Sequence, residues 1–457
     1  MQHGQDLTQG NVGRQLLRFS LPFLLSMLFQ ALYALIDMII IGQYYSHIPG
    51  VPAGVNNALR VSLLVTNLVG GFVQGGSVMI SQYRGAKRPQ DEREAIGTLF
   101  TASAIGGVLL TVVMLLLAAP IIDAIGTAKE ARPSAISFLT IILSGTLFTV
   151  GFNAITAVYR GIGDSVRPLI FAAVSCGINI GLDFLFIAGF NWAAAGAAWA
   201  TVISQAAALL FAVLWMKRAD FSFQFRRKEF IIQKQKLFLL FKIGFPSSMQ
   251  NTLVGLSFIF ITGIVNSIDA GNLTNINIFG FSDRINNFAI LPNMAISLAV
   301  GAMVAQNMGA RSIDRAKRTQ WAGLRISVAM AAVTIAVVNL FPGPILGAFS
   351  TDPLIIKYGV TYLRFLSINY MLTAISFNFN GLFIGAGHTG FALFSALCGA
   401  WLFRVPTAML FAHSMGMEGV AWGMNAAVLG QLTINIIYYL SKRWQKPVIK
   451  TSPIAQT

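Results

Sequence analysis

Long apolar stretches separated by short polar turns dominate this 457-residue chain and restrict it to one class of fold. About 20 apolar residues are enough for a helix to cross a bilayer, and we predict twelve such spans. In order, spans 1–12 cover residues 16–43, 54–82, 94–120, 134–160, 166–188, 193–217, 238–266, 276–305, 317–341, 357–385, 389–412 and 417–442. Charged residues make up only 11% of the chain, against about 25% in soluble domains, so we expect an all-α polytopic membrane protein.

The basic residues are distributed asymmetrically between the loops. Of the 32 Lys and Arg, 24 lie in the two tails and in every second loop, including the stretch from Lys217 to Lys242. This positive-inside pattern places both termini in the cytoplasm. We expect the chain to lie in the plasma (inner) membrane. Topology therefore accounts for the net charge of +16, and we expect no nucleic-acid partner.

The two halves of the chain repeat one another at a constant offset. Pro22 matches Pro246, and four further pairs also lie 224 residues apart: Gln82 and Gln306, Gly85 and Gly309, Gly161 and Gly385, Gly163 and Gly387. We therefore predict two six-helix lobes in parallel repeat, with a cleft at their interface. The predicted divisions are an N-lobe at 1–217, a basic connector at 218–237, a C-lobe at 238–445 and a tail at 446–457.

Two carboxylates deep within the first lobe are the strongest functional signal. Asp37 in span 1 and Asp183 in span 5 have no cation beside them in sequence, and each lies about five or six residues from the same end of its helix, roughly 8–9 Å deep. An acid at this depth is costly and usually serves a function. Two acids close together in a low dielectric cannot both ionise easily, so the pair can load a proton or, with further oxygen ligands, Na⁺. The residues do not choose between these ions.

Polar neighbours accompany both acids. Gln30 and Tyr33 share a helical face with Asp37, Asn179 lies one turn before Asp183, and Thr201 in span 6 lies at a similar depth. Such residues can satisfy a buried acid, although a polar latch between helices would look the same.

A secondary transporter explains these features better than the other classes of protein. No Ser–His–Asp or metal-ligand grouping supports an enzyme, and the phosphate-binding GxxxxGK[ST] pattern is absent, so uphill transport would use an ion gradient. A channel or receptor remains an alternative, although no filter-like segment is visible. We expect no cofactor other than the coupling ion.

Several motifs in order resemble the MATE (multidrug and toxic compound extrusion) family, and its DinF-like branch most closely. They are LTQGNVGRQLLRFSLP, YALIDMIIIGQY, GGSVMISQYRGAKR, YRGIGDSVRP, NIGLDFLFI, GAAWAT and AQNMGA, which cover about residues 7–445. The resemblance implies a V-shaped pair of lobes that exports amphipathic, often cationic, drugs against H⁺ or Na⁺ by alternating access. We expect it to work as a monomer within the lipid bilayer.

The resemblance also implies roles for particular residues. The matching cation site consists of Asp37, Asn179, Asp183 and Thr201, where Na⁺ is one possible ion, and the residues near bound drug are Gln30, Tyr33 and Asn153. Spans 7 and 10 contain no Asp or Glu, unlike the NorM-like branch, so coupling is expected in the first lobe. A flippase for lipid-linked or polar-headgroup substrates is the alternative function, and Arg284 and Arg404, which we expect to be buried, leave room for it.

Overall fold

The chain is almost entirely helical in a computed structural model, which describes residues 4–45, 48, 50–218, 223, 226–268 and 273–449. The α-helices among these residues are α1 (Val12–Tyr45), α2 (Val51–Gly85), α3 (Pro89–Ala124), α4 (Arg132–Ser144), α5 (Thr146–Gly161), α6 (Val166–Asp183), α7 (Ala193–Arg218), α8 (Lys234–Ile268), α9 (Leu273–Gly309), α10 (Ile313–Leu340), α11 (Pro342–Gly347), α12 (Pro353–Gly385), α13 (Thr389–Leu397), α14 (Val405–Met415) and α15 (Met417–Leu440). Parts of the predicted connector and most of the predicted tail lie outside the described residues.

The helices follow the predicted spans closely. Within the described residues, 10 helical segments are long and apolar enough to cross a membrane, and the α4–α5 pair makes an eleventh. α12, with 33 residues, occupies predicted span 10. The all-α membrane fold with twelve spans is therefore confirmed.

Predicted span 4, which the sequence analysis gives as one helix, consists of two helices that meet at a bend. α4 and α5 meet at an angle of 48°. Gly145 lies at the break, and a Cβ there would come within 2.6 Å of the Val202 side chain on α7. The absence of a side chain thus lets the bent backbone approach the neighbouring helix.

Predicted spans 5 and 11 each contain a π-helical segment. α6 continues into a π-helix at Phe184–Gly189, and α13 continues into one at Cys398–Arg404 before α14 begins. A π-turn adds a residue to the helical turn and is frequent at functional sites. Both segments bring a chemically important residue to the junction: Asp183 directly precedes the first, and Arg404 ends the second.

The chain forms two compact units. The first unit holds the residues up to Asp6 and Leu25–Ser248, and the second holds Leu7–Leu24 and the chain from Met249 onward. α1 and α8 therefore each contribute to both units. Each helix changes unit two residues after its proline, Pro22 in α1 and Pro246 in α8, which agrees with the 224-residue repeat. The lobe boundaries drawn from the sequence stay a prediction.

Small residues allow helices to approach closely in the first unit. A Cβ on Gly71 of α2 would lie 2.3 Å from the backbone nitrogen of Ser248 on α8, and one on Gly75 would lie 2.5 Å from that of Gly244. The Ser248 hydroxyl donates to the Leu68 carbonyl over 2.6 Å. Such glycine-based contacts are typical of helices packed within membranes.

The second unit uses similar contacts between α9 and α12. A Cβ on Gly385 would lie 2.3 Å from the Gly301 carbonyl oxygen, and the Ser297 hydroxyl donates to the Phe377 carbonyl over 2.7 Å. Its apolar core includes Ile261, buried completely. Both units are thus held by backbone-to-backbone proximity as well as by apolar side chains.

Candidate functional site

Asp37 is positioned by the middle of α1. Its side chain is buried, with 8% of the residue exposed. Tyr33, one turn earlier on the same face, is partly buried, whereas Gln30 is exposed. The predicted face of α1 therefore runs from an exposed amide to a buried carboxylate.

Asp183 and Asn179 are positioned by the end of α6. Asn179 is 1% exposed and Asp183 is fully buried. Asp183 is the last residue before the π-helix at Phe184–Gly189. The change of helical winding directly after it sets the direction in which the following residues leave the site.

The structure brings the two predicted acids together. The carboxyl groups of Asp37 and Asp183 lie close enough to form a hydrogen bond when one of them carries a proton. Their depths, predicted from the sequence, therefore correspond to a real meeting of α1 and α6. The pairing lies entirely within the first unit.

The acid pair has no compensating cation in the described part of the chain. Neither Asp37 nor Asp183 takes part in an ion pair there with Lys, Arg or His. Both oxygens of Asp183, one oxygen of Asp37 and both polar atoms of the Asn179 side chain are buried without a hydrogen-bond partner among the described residues. Buried polar groups are nearly always paired, so this cluster of five atoms is a candidate site for a bound species.

Cys176 is a member of the site that the sequence analysis did not identify. It is buried, and its thiol is close enough to Asp37 to interact with it electrostatically, as is the Tyr33 hydroxyl. The signal was present, since Cys176, Asn179 and Asp183 are spaced i, i+3, i+7 on α6 and so share one face.

Thr201 and Asn153 are less directly connected to the acids. Thr201 is partly buried on α7, and its hydroxyl donates to the Ala197 carbonyl of its own helix over 3.0 Å. Asn153 on α5 likewise donates to its own helix, to the Thr149 carbonyl over 2.8 Å. Both retain a free acceptor capacity, but neither is hydrogen-bonded to Asp37 or Asp183 in the described structure.

The carboxylate oxygens of Asp37 and Asp183 can bind a proton or a hard cation. Carboxylate and amide oxygens are the ligands that small hard cations take in proteins. The described residues contain no group of three or more His, Cys, Asp or Glu that could hold a metal ion. A sodium ion between Asp37 and Asp183 would therefore need neutral oxygens such as that of Asn179, whereas a proton would need only the two carboxylates.

Arg404 and Arg284, which both lie within spans of the second half, differ in environment. Arg404 is buried, with 9% of the residue exposed, as expected. Arg284 is exposed, so the expectation that it is buried is wrong. Asp283 beside it accepts a hydrogen bond from the Asn287 side chain over 3.2 Å. Polar residues occur on several faces of the first half of α9, so the sequence pattern did not indicate which face other helices cover.

Curated relatives of similar length match nearly the whole chain. A probable multidrug resistance protein, YpnP of Bacillus subtilis, is 28% identical over 450 residues, which cover 96% of this chain and 97% of the relative. The multidrug export protein MepA of Staphylococcus haemolyticus is 26% identical over 95% of each chain. The chain is therefore similar to these multidrug resistance and export proteins over nearly their whole length.

A solved structure shares the fold. The outward-facing conformation of a multidrug resistance MATE family transporter of the MOP superfamily matches with a TM-score of 0.88 at 23% identity, over 97% of each chain. The MatE family model matches twice, at residues 22–185 and 246–410, so that its two matches begin 224 residues apart. The internal duplication inferred from the sequence is thereby confirmed, and the chain belongs to the MATE family of membrane transporters.

Proposed function

We propose that this protein is a cation-coupled antiporter that exports amphipathic, often cationic, organic compounds. The observation that carries the proposal is the buried, uncompensated pair of Asp37 and Asp183. The relatives that are named as multidrug resistance and export proteins support the class of cargo. The DinF-like assignment, the plasma membrane location, the cytoplasmic termini and the monomeric state remain part of this proposal.

Charge balance gives the pair its proposed role. Without a bound cation, the two carboxylates confine negative charge in a low dielectric, which is unfavourable at membrane depth. Loading one proton or one Na⁺ reduces that charge and lets the carboxyl groups approach. Binding of the coupling ion therefore favours a different arrangement of α1 from the one that the ion-free pair prefers.

Cargo release follows from the arrangement of α1. Gln30 and Tyr33 lie on the same face of α1 as Asp37, so a change at the acid pair reaches both residues through one rigid helix. We infer that the ion-loaded pair weakens cargo binding at this face and that an organic cation and the coupling ion compete for it. Alternating exposure of the site to the two sides of the membrane then gives exchange.

A vesicle experiment tests the proposal. We would reconstitute the wild type, Asp37→Asn and the control Asp283→Asn, and follow rhodamine 6G, an organic cation, while a pH gradient or a Na⁺ gradient is imposed separately. We expect one gradient to drive dye movement in the wild type and in Asp283→Asn, and neither gradient to do so in Asp37→Asn. The effective gradient identifies the ion.

Two results would contradict the proposal. Unimpaired gradient-driven transport by Asp37→Asn would remove the acid pair from the mechanism. Absence of wild-type transport under both gradients, with folded protein in the vesicles, would argue against antiport of organic cations and favour the lipid flippase. The Asp283→Asn control separates loss of a particular carboxylate from loss of any carboxylate within a span.

A further inference from the structure

Arg404 is a buried cation near the middle of a membrane span. It is residue 16 of the 27 in the segment Thr389–Met415, and 9% of it is exposed. Charged residues in such positions are rare, and they usually pair with a group of opposite charge or serve a ligand. In the part of the chain that the structure describes, Arg404 forms no ion pair with Asp or Glu.

The contacts of Arg404 leave one edge of its guanidinium unused. Nη1 donates to the Ser257 hydroxyl of α8 over 2.8 Å, and the guanidinium carbon lies 4.3 Å from the centre of the Phe258 ring. Among the described residues, the buried Nε has no hydrogen-bond partner and none accepts a hydrogen bond from Nη2. The Nε–Nη2 edge is the one that binds a carboxylate through two parallel hydrogen bonds.

The duplication relates Arg404 to the acid pair, because the two occupy corresponding helices of the two units but carry opposite charges. At the repeat offset set by Pro22 and Pro246, Ser257 corresponds to Tyr33 and Ile261 to Asp37. At the offset set by Gly161 and Gly385, Arg404 corresponds to Ile180, next to Asn179. The helix pair that carries two acids in the first unit therefore carries one uncompensated cation in the second.

Aromatic side chains surround the same part of the second unit. Phe258 lies under the guanidinium, and the ring of Phe260 meets that of Trp401 edge to face at a centroid distance of 5.1 Å. Trp401 lies three residues before Arg404, and its indole donates to the Leu253 carbonyl over 3.3 Å. Flat rings beside a fixed cation suit a compound that has an aromatic body and an anionic group.

We propose that Arg404 and Ser257 form a recognition site for the carboxylate of a zwitterionic or anionic amphipathic substrate. The inference rests on the proposed export function, since it names a class of cargo for that function. The carboxylate would bind the Nε–Nη2 edge, while Ser257 holds the other side of the guanidinium in place. The protein would thus accept compounds that carry both charges, in addition to simple organic cations.

Two dyes that differ by one ester group test the site. Rhodamine 6G is a cationic ethyl ester, and rhodamine 19 is its free acid, a zwitterion. We would measure the binding of each to purified protein in detergent by fluorescence anisotropy, for the wild type, Arg404→Met, Arg404→Lys and Arg284→Gln. Arg284 is the matched control because it is an arginine of the same unit whose side chain is exposed.

Binding of the free acid, rhodamine 19, should depend on Arg404, whereas binding of the ester, rhodamine 6G, should not. We expect Arg404→Met to weaken rhodamine 19 by about 10-fold or more, the usual worth of a charged hydrogen bond, and to leave rhodamine 6G within about twofold. Arg404→Lys keeps the charge but loses the paired donors, so it should weaken rhodamine 19 by a smaller factor. Arg284→Gln should change the binding of neither dye.

Other outcomes would overturn the inference. Equal weakening of both dyes would make Arg404 a packing residue, and unchanged rhodamine 19 binding in Arg404→Met would remove the site. If Arg404→Met does not fold, unchanged rhodamine 19 binding in Arg404→Lys would contradict the two-bond geometry. Competition of phosphatidylglycerol with rhodamine 19 for Arg404 would assign the site to a lipid headgroup. The binding of the dyes in detergent needs no ion gradient. Failure of ion-driven transport would therefore refute the proposed export function but would leave the binding test of Arg404 valid.

Discussion

In the first unit α1 meets α6 through Asp37 and Asp183, whereas in the second unit α8 meets the π-helix at Cys398–Arg404 through Ser257 and Arg404. The repeat makes these the same two helices of the duplicated six-helix pattern. The two units thus have side-chain contacts at corresponding places, with two acids in the first unit and one base in the second. The two sites that we propose, one for a coupling cation and one for an anionic group, would then occupy corresponding places in the two units.

The largest expected effect is the loss of coupling on removal of an acid. Asp183→Asn keeps the size of a fully buried side chain but removes one of the two charges that a coupling cation neutralises. We expect gradient-driven transport of both rhodamine dyes to fall to the level of empty vesicles, with Asp283→Asn as the control. Binding of rhodamine 19 in detergent should remain within about twofold, because Arg404 is intact. A collapse of that binding would show that the two sites are not independent.

The second expected effect is a loss of stability at the glycine contacts of α2. Gly71→Ala places a methyl group against the Ser248 backbone at 2.3 Å, so the helices must separate. We expect the free energy of unfolding to fall by about 1–3 kcal/mol, as overpacked sites usually show. Thermal unfolding in detergent would measure this, with Gly70→Ala as the control, since a Cβ there meets nothing within 4 Å.

This effect also distinguishes the two units. The repeat places Ala295 and Ala299, both buried, at the positions that correspond to Gly71 and Gly75. The second unit therefore already accommodates a methyl group at these positions. Equal unfolding temperatures for Gly71→Ala and Gly70→Ala would mean that the first unit accommodates one as easily.

A smaller expected effect separates two tyrosines, the partly buried Tyr33 of the first unit and the buried Tyr370 of the second. Tyr33 lies near Asp37, whereas Tyr370 belongs to an apolar cluster of the second unit and its hydroxyl has no hydrogen-bond partner among the described residues. We expect Tyr33→Phe to lower kcat/KM for rhodamine 6G transport by about 3–10-fold, as for one lost hydrogen bond. Tyr370→Phe should leave it unchanged. The reverse order would place the cargo-sensitive hydroxyl in the second unit.

The sequence was sufficient for the spans and for the acid pair, because both depend on simple physical costs. Length and apolar composition located the helices, and equal distances from the helix ends placed Asp37 and Asp183 at one depth. It was insufficient for the bend at Gly145, since a glycine within an apolar run usually serves packing in a continuous helix. The π-helices at Phe184–Gly189 and Cys398–Arg404 have no compositional signal, because a single added residue leaves hydropathy unchanged.

The direction of individual side chains was the other feature that the sequence did not predict. The exposure of Arg284 and the burial of Arg404 could not be distinguished, because each lies within a predicted span and the sequence does not show which face of a span other helices cover. Cys176 was overlooked because a buried cysteine is ordinary on its own. Only its spacing from Asn179 and Asp183 relates it to the site.

The smallest expected effect concerns how the chain before the first helix is held. Arg315 of the second unit donates to the carbonyls of Leu7, Gln9 and Gly10 and to the Gln15 side chain. The corresponding position of the first unit, 224 residues earlier, is Asp91, which forms an ion pair with Lys236 before the middle of α8. Asp91 and Arg315 thus each contact the chain at or before the start of a helix, α8 for Asp91 and α1 for Arg315, but they carry opposite charges.

Substitution of Arg315 should loosen this segment without unfolding the unit. Arg315→Gln replaces the guanidinium with a shorter amide that cannot reach all of these acceptors, whereas the buried Leu7 keeps its hydrogen bonds with the side chains of Gln306 and Asn307. We expect amide hydrogen exchange at residues 7–11 to accelerate by about 10-fold, with unfolding temperature and dye transport nearly unchanged. Arg318→Gln, which removes an exposed arginine one turn further along α10, is the control. Equal exchange in the two variants would mean that the buried Leu7 alone holds the segment, and that the charge reversal between positions 91 and 315 has no structural consequence.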